Sequence, residues 1–137
     1  MTYDNNNIFA KILRNEIPCI KVYEDEHTLA FMDIMPQAEG HTLVIPKEAA
    51  ITIHDLSDEG AANLIKKVKL VAAAVKKGLD ADGITLFQLN GEQAGQTVPH
   101  IHFHILPGNY LMAKAHAQIS ADNDSLEAIA EKIRTGF

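Results

Sequence analysis

Three imidazoles occupy alternate positions in the stretch QTVPHIHFHILPG, Gln96 to Gly108: His100, His102 and His104, with Ile101, Phe103 and Ile105 between and after them. The chain has seven histidines, and three of them fall here. In an extended strand, residues two apart point to one face and stand roughly 6.6–6.8 Å apart. The spacing therefore predicts a histidine row on one face and an apolar row on the other, the second lying on the core side under a helix. Three chemistries fit such a row. It can be a partly exposed strand face that happens to be rich in histidine. It can be a metal site, since a His-x-His strand pair binds zinc and His41 or His104 could supply a further ligand, although the segment itself carries no carboxylate. It can be a nucleophilic site, in which one neutral imidazole attacks and its neighbours orient it and steady the developing charge.

The loop before the row favours the last of these. NGEQAGQT contains Gly91 and Gly95 beside Asn90, Gln96 and Thr97. Glycines let backbone amides approach an anion closely, and Gln96 and Thr97 carry donors suited to phosphate oxygens.

These residues must be held by a framework, and the sequence outlines one. MTYDNNN is a loose polar start. IFAKILRNEI places Ile8, Phe9, Ile12 and Leu13 at helical spacing before Pro18. CIKVYEDE and HTLAFMDI are two β-rich runs around an acidic turn, and HTLVIPK is a third strand stopped by Pro46. Ser57 caps a long amphipathic helix carrying Leu64, Val68, Val71, Val75 and Leu79. ITLFQLN and HIHFHIL are two further strands. A cap signal at Asp124 to Glu127 opens a C-terminal helix with Leu126, Ile129, Ala130 and Ile133 on one face. The expected fold class is α+β: an antiparallel sheet of about five strands with a long helix packed on it and short helices at either end. The 137 residues read as one domain, with residues 1–7 loose and residues 108–137 a C-terminal extension.

Composition narrows the function classes. A net charge of −6 argues against nucleic acid as the main partner, and the cluster Lys66, Lys67, Lys69, Lys76 and Lys77 reads as a solvated helix face. The start has no basic segment followed by an apolar core, and no apolar run is long enough to span a bilayer. Cys19 is the one cysteine, read as a small packed hydrophobe; a reducing, cytoplasmic setting is expected.

QTVPHIHFHIL resembles the histidine triad motif of the histidine triad (HIT) nucleotide hydrolases and transferases. IFAKILRNEIP, LAFMDIMPQAEGHTLVIPK and LNGEQAGQTVPHIHFHILP follow in the order seen in the Hint branch of that family, and the likeness spans residues 8 to 107. The resemblance implies a role for each matching position. His102 would be the nucleophile that attacks the α-phosphorus of a nucleotide. His104 would donate to the phosphate and help the leaving group depart, and His100 would orient the site. His41 matches a fourth histidine near the triad. Asp33 matches the acid that accepts the ribose hydroxyls. Ile8, Phe9, Ile12, Phe31, Ile34 and Leu43 match the apolar slot for the base. Asn90, Gly95, Gln96, Thr97 and Val98 match the phosphate-side loop.

The resemblance further implies a purine nucleoside phosphoramidase working through a nucleotidyl-histidine, without metal in the chemistry, and a homodimer built by joining two half-sheets. A dinucleoside polyphosphate hydrolase of the same family, and a nucleotide-binding protein with little turnover, are the alternatives. This chain departs from the pattern in three places. NNNIFAKIL lacks the cysteines with which many bacterial relatives help bind a structural zinc, so no zinc site is expected there. The C-terminal end lacks the tryptophan-bearing tail of some Hint proteins. Pro107 is followed by Gly108 where the polyphosphate-cleaving branch often carries a basic residue. His27, His54 and His116 have no matching context and read as surface residues.

Overall fold

The structure is a computed structural model in which residues 2–109 and 121–137 are described. The elements run α1 (Ile8–Leu13), β1 (Lys21–Glu24), β2 (Thr28–Met32), β3 (Thr42–Pro46), α2 (Asp58–Gly78), β4 (Ile84–Gln88), β5 (Phe103–Pro107) and α3 (Asn123–Arg134). The five strands form one antiparallel sheet in the order β1-β2-β3-β5-β4. This is the α+β plan expected from the hydrophobic patterning.

Alternation along each strand divides the sheet into two buried faces. Ala30, Met32, Val44, Ile101 and Ile105 point to one face and pack with Leu64, Val68, Val71 and Val75 of α2 and Leu126, Ala130 and Ile133 of α3. Leu29, Phe31, Leu43 and Ile45 point to the other and pack with Phe9 and Ile12 of α1. All five residues of β2 and of β3 are therefore buried. Pairing carries the faces across the sheet: Thr42 lies opposite Ile105, and Leu43 opposite His104. The histidine row thus shares its face with the smaller apolar cluster.

Local chemistry fixes the helices. Ser57 caps α2 by accepting from the Gly60 N–H at 2.9 Å, while Asp58 and Glu59 sit at the positive end of the dipole. At Gly78 an added Cβ would lie 2.2 Å from the Lys132 carbonyl oxygen, so a side chain there would push α3 off α2. The helix α3 is capped two residues earlier than the sequence signal indicates. Asp122, not Asp124, is its cap, accepting from the Ser125 N–H at 3.1 Å.

α1 covers the four residues read at helical spacing and ends at Leu13, before Asn15 turns the chain at a φ of 62°. The loose polar start is instead held down. Asn7 donates to the Asp4 carbonyl at 2.8 Å and accepts from the Ala10 N–H at 2.9 Å, and Arg14 donates to the Asn5 carbonyl at 2.8 Å. Of the C-terminal extension, residues 110–120, including His116, lie outside the described residues.

Candidate active site

The strand β5 starts at Phe103, so only His104 of the row sits in the ladder. His100 and His102 lie on the approach to it, still alternating and still on one face. The ladder stops there because other partners take over: Ile101 N–H donates to the Ala50 carbonyl at 2.9 Å, and the His100 ring bonds the Pro46 carbonyl. All three rings are buried; His100 is wholly so, and His102 and His104 keep 6% and 9% exposure. The reading of the row as a partly exposed strand face is overturned by that burial, because a buried imidazole needs partners.

Those partners fix where each proton sits. His100 Nε2 lies 2.9 Å from the Pro46 carbonyl oxygen, which can only accept, so Nε2 carries the hydrogen. His100 Nδ1 then accepts, and it does so from the Tyr3 hydroxyl at 2.6 Å. His102 Nδ1 lies 2.7 Å from the His100 carbonyl oxygen, so Nδ1 carries the hydrogen and Nε2 keeps its lone pair. Gln37 N–H donates to His41 Nδ1 at 3.0 Å, which places the His41 hydrogen on Nε2. His41 Nε2 stands 2.9 Å from His104 Nδ1, so His104 accepts there and its own hydrogen sits on Nε2. One bare nitrogen and one protonated nitrogen thus come from rings whose centroids are 4.9 Å apart.

Electrostatics agree with these tautomers. Burial holds His100 down to about 4, against the weaker opposing pull of the Pro46 carbonyl. Burial also lowers His102, against the His100 carbonyl. Both rings are neutral near pH 7, as a nitrogen nucleophile requires.

A cavity of about 350 Å³ opens onto the row. Ile8, Phe9, Ile12, Phe31, Ile34, Leu43, Thr97 and Val98 line it together with Asp33, His102 and His104. Its apolar end is an aromatic corner, with Phe9 edge-on to Phe31 at 5.4 Å and edge-on to His102 at 4.9 Å. The Asp33 carboxylate accepts from the Met35 N–H at 2.8 Å and lies 3.5 Å from His41 Nε2. His41 and His100 stand behind the lining residues and act on the cavity through His104 and His102.

The loop residues Asn90, Gly95 and Gln96 are not in the lining, and the loop is not the amide cradle that its glycines suggested. The N–H groups of Ala94 and Gln96 bond the Gly91 carbonyl, that of Gly95 bonds the Glu92 carbonyl, and that of Gly91 bonds Gln96 Oε1 at 2.7 Å. Gln96 Nε2 donates to the carbonyls of Ile51 and Val98 at 2.7 and 3.0 Å. Asn90 accepts from the Ile53 N–H at 2.8 Å and pairs with Gln88. The glycines serve the turn itself, with φ of 94° at Gly91 and 103° at Gly95.

Sequence reasoning missed several members of the site. Ile17, Pro18, Cys19, Met32 and Met35 also line the cavity. Phe87 lies opposite His104 in the β4–β5 ladder and stacks on it at 4.2 Å and 8°. The Gln37 N–H, a backbone group, leaves no mark in the residue types; Phe87 would have been found by fixing the β4–β5 register. His27 and His54 are exposed, as expected.

Asp33, His41 and His104 bring a carboxylate oxygen and two ring nitrogens within 4.8 Å of one another. That donor set invites a divalent ion, but the hydrogen-bond directions do not fit one. A metal on His41 Nε2 would displace its proton while the Gln37 N–H still occupies Nδ1, leaving the ring an imidazolate or breaking that bond.

The fold and a buried, tautomer-fixed histidine row define a class: proteins that present a neutral imidazole to a small pocketed ligand. Residues 14–111 match the HIT domain family, and the chain belongs to it. It is similar to adenosine 5′-monophosphoramidase hnt1 of Schizosaccharomyces pombe, 46% identical over 100 residues, covering 73% of this chain and 72% of that one. It is also similar to the adenylylsulfatase HINT3 of Arabidopsis thaliana, 39% identical over 106 residues, 77% of this chain and 54% of that protein. Among solved structures, a Hit-like protein of Bartonella henselae described as involved in cell-cycle regulation superposes with a TM-score of 0.93 at 50% identity, over 100% of both chains. A zinc-bound histidine triad family protein of Mycobacterium smegmatis reaches 0.81 at 33% identity, over 96% of this chain and 92% of that one.

The depressed His100 gives a pH prediction for stability. Its unfolded value is 6.5 and its folded value about 4. Between those values the unfolded chain takes up a proton that the folded chain refuses, so stability falls as pH drops from about 6.5 towards 4. The loss should be on the order of 3 kcal/mol. Urea midpoints at stepped pH values, with the His100 ring followed by NMR, check this. A His100 ring titrating near 6.5 in the folded protein would contradict it.

Proposed function

We propose that this protein hydrolyses purine nucleoside phosphoramidates through a covalent nucleotide adduct on His102. One observation carries the reading: the His100 carbonyl holds the His102 proton on Nδ1 at 2.7 Å, which leaves Nε2 unprotonated on a ring that lines the cavity. The lining residues suit the parts of such a ligand. Phe9, Phe31 and the neighbouring aliphatic side chains suit a flat base, Asp33 suits ribose hydroxyls, and the imidazoles suit one phosphoryl group.

In the proposed sequence, His102 Nε2 bonds to phosphorus as the P–N bond breaks. The Nδ1–H remains, so the ring becomes cationic, and its bond to the His100 carbonyl strengthens as that charge appears. His104 offers Nε2–H to the reacting group, and His41 holds His104 in that tautomer. The substrate nitrogen takes up a proton from the medium before the P–N bond breaks, so the amine departs neutral. Water then attacks phosphorus, the P–Nε2 bond breaks, the nucleotide leaves and one proton returns to the medium, restoring neutral His102.

The lining also bears on the leaving group. Among the described residues, no lysine or arginine lines the cavity. Neutral imidazoles and a carboxylate suit one phosphoryl group with a neutral amine better than a chain of charged phosphates. This supports phosphoramidase over polyphosphate hydrolase. The similarity to an adenosine 5′-monophosphoramidase points the same way.

The protein should release AMP from adenosine 5′-phosphoramidate in the presence of chelator, and His102→Ala should lower kcat by roughly 10³-fold or more. A His102→Ala variant as active as the parent removes the nucleophile. Retained AMP binding with no turnover by the parent would instead support a binding protein.

A homodimer belongs to the same proposal. The edge strand β4 exposes Leu86, and Ile53 and Ile65 are exposed around an apolar depression that also takes in Ala61, Ala62 and Phe103. Among the described residues β4 lies at the edge of the sheet, and such a strand beside an apolar patch suits a second copy of the sheet. Sedimentation at micromolar concentration should give about 30 kDa, twice the 15.0 kDa chain; a 15.0 kDa species would refute it.

A further inference from the structure

We propose that Tyr3 is a positioning residue of this site, its hydroxyl fixing the tautomer and place of His100 and, through the His100 carbonyl, the aim of His102. The inference rests on the reading of His102 as the nucleophile. Tyr3 lies 97 positions from His100, yet its hydroxyl stands 2.6 Å from His100 Nδ1, and the two rings meet edge-on at 5.6 Å and 69°. The direction of that bond is determined. His100 Nε2–H is spent on Pro46, so Nδ1 has only a lone pair and Tyr3 must donate.

The segment that carries Tyr3 is built to deliver it. Asp4 receives the Asn6 N–H at 2.8 Å on its carboxylate and the Asn7 side chain at 2.8 Å on its carbonyl. Arg14 holds the Asn5 carbonyl from the end of α1. Tyr3 is half-buried and is not among the residues lining the cavity, so it acts through His100 and not on the ligand.

The consequence is electrostatic as well as geometric. The groups that face the His100 ring are the Tyr3 hydroxyl, the Pro46 carbonyl from β3, the Phe9 ring from α1 and the neighbouring His102. A hydrogen bond donated to Nδ1 stabilises the neutral ring. Without it, Nδ1 is a buried acceptor that gains most by taking a proton. The resulting cation would stand beside His102 and oppose the positive charge that builds there during attack.

The test compares the parent with Tyr3→Phe, which keeps the ring and deletes the hydroxyl. Imidazole ¹⁵N NMR should show the parent His100 as pure Nε2–H with an accepting Nδ1 down to pH 5. In Tyr3→Phe, His100 should take up its proton about one pH unit higher. On adenosine 5′-phosphoramidate, kcat should fall roughly tenfold, the worth of one hydrogen bond, with KM unchanged and the acid limb of the profile moved up. Incorporating 3-fluorotyrosine at position 3, which restores the hydroxyl, should restore the parent pattern. An unchanged ¹⁵N pattern and acid limb in Tyr3→Phe overturn the proposal. So does failure of 3-fluorotyrosine to rescue, including in the case where Tyr3→Phe does not fold. If the parent turns over no phosphoramidate, the functional reading fails, while the ¹⁵N comparison still decides the role of Tyr3.

Discussion

The site depends on backbone groups whose hydrogen-bonding sense cannot change. A carbonyl only accepts and an amide N–H only donates. The Pro46 carbonyl therefore sets the tautomer of His100, the His100 carbonyl sets that of His102, and the Gln37 N–H sets that of His41. His104 inherits its tautomer from His41. Four interacting imidazoles could adopt many proton arrangements, and three backbone contacts select one. In that arrangement the bare nitrogen of His102 and the protonated nitrogen of His104 belong to rings that both line the cavity.

The framework keeps those contacts in register. The larger apolar cluster on one face, with α2 and α3, anchors Ile101 and Ile105, the residues that alternate with the histidines. The smaller cluster on the other face, with α1, supplies the wall of the cavity. One apolar residue belongs to both functions: Phe9 packs on Phe31 and on His102. The pocket wall and the His102 ring are thereby set relative to each other through Phe9.

The period of two in PHIHFHIL was enough to put the histidines on one face and the isoleucines on the other, and Ser57 and the α2 stripe fixed the long helix. The succession of strands along the chain and their antiparallel pairing also followed from patterning, but the insertion of β5 between β3 and β4 did not. The sequence misled where other partners compete with the ladder: the Pro46 and Ala50 carbonyls engage the His100 ring and the Ile101 N–H, so β5 starts at Phe103. It misled at the glycine loop because a glycine reports a permitted φ and not whether its N–H is spent, and here the N–H groups of Gly91 and Gly95 are spent. It gave no sign of Tyr3, since nothing local marks a tyrosine whose partner lies 97 residues away.

The central claim is that the Nε2 of His102 becomes bonded to phosphorus during turnover. It is tested most directly by mixing the protein with adenosine 5′-phosphoramidate, quenching at alkaline pH within the first turnover and mapping the peptides by mass spectrometry. The account predicts a nucleotide adduct on the peptide that contains His102, on that residue and no other, disappearing as AMP accumulates. Turnover with no adduct at any time, or an adduct on His41, His100 or His104, would contradict it.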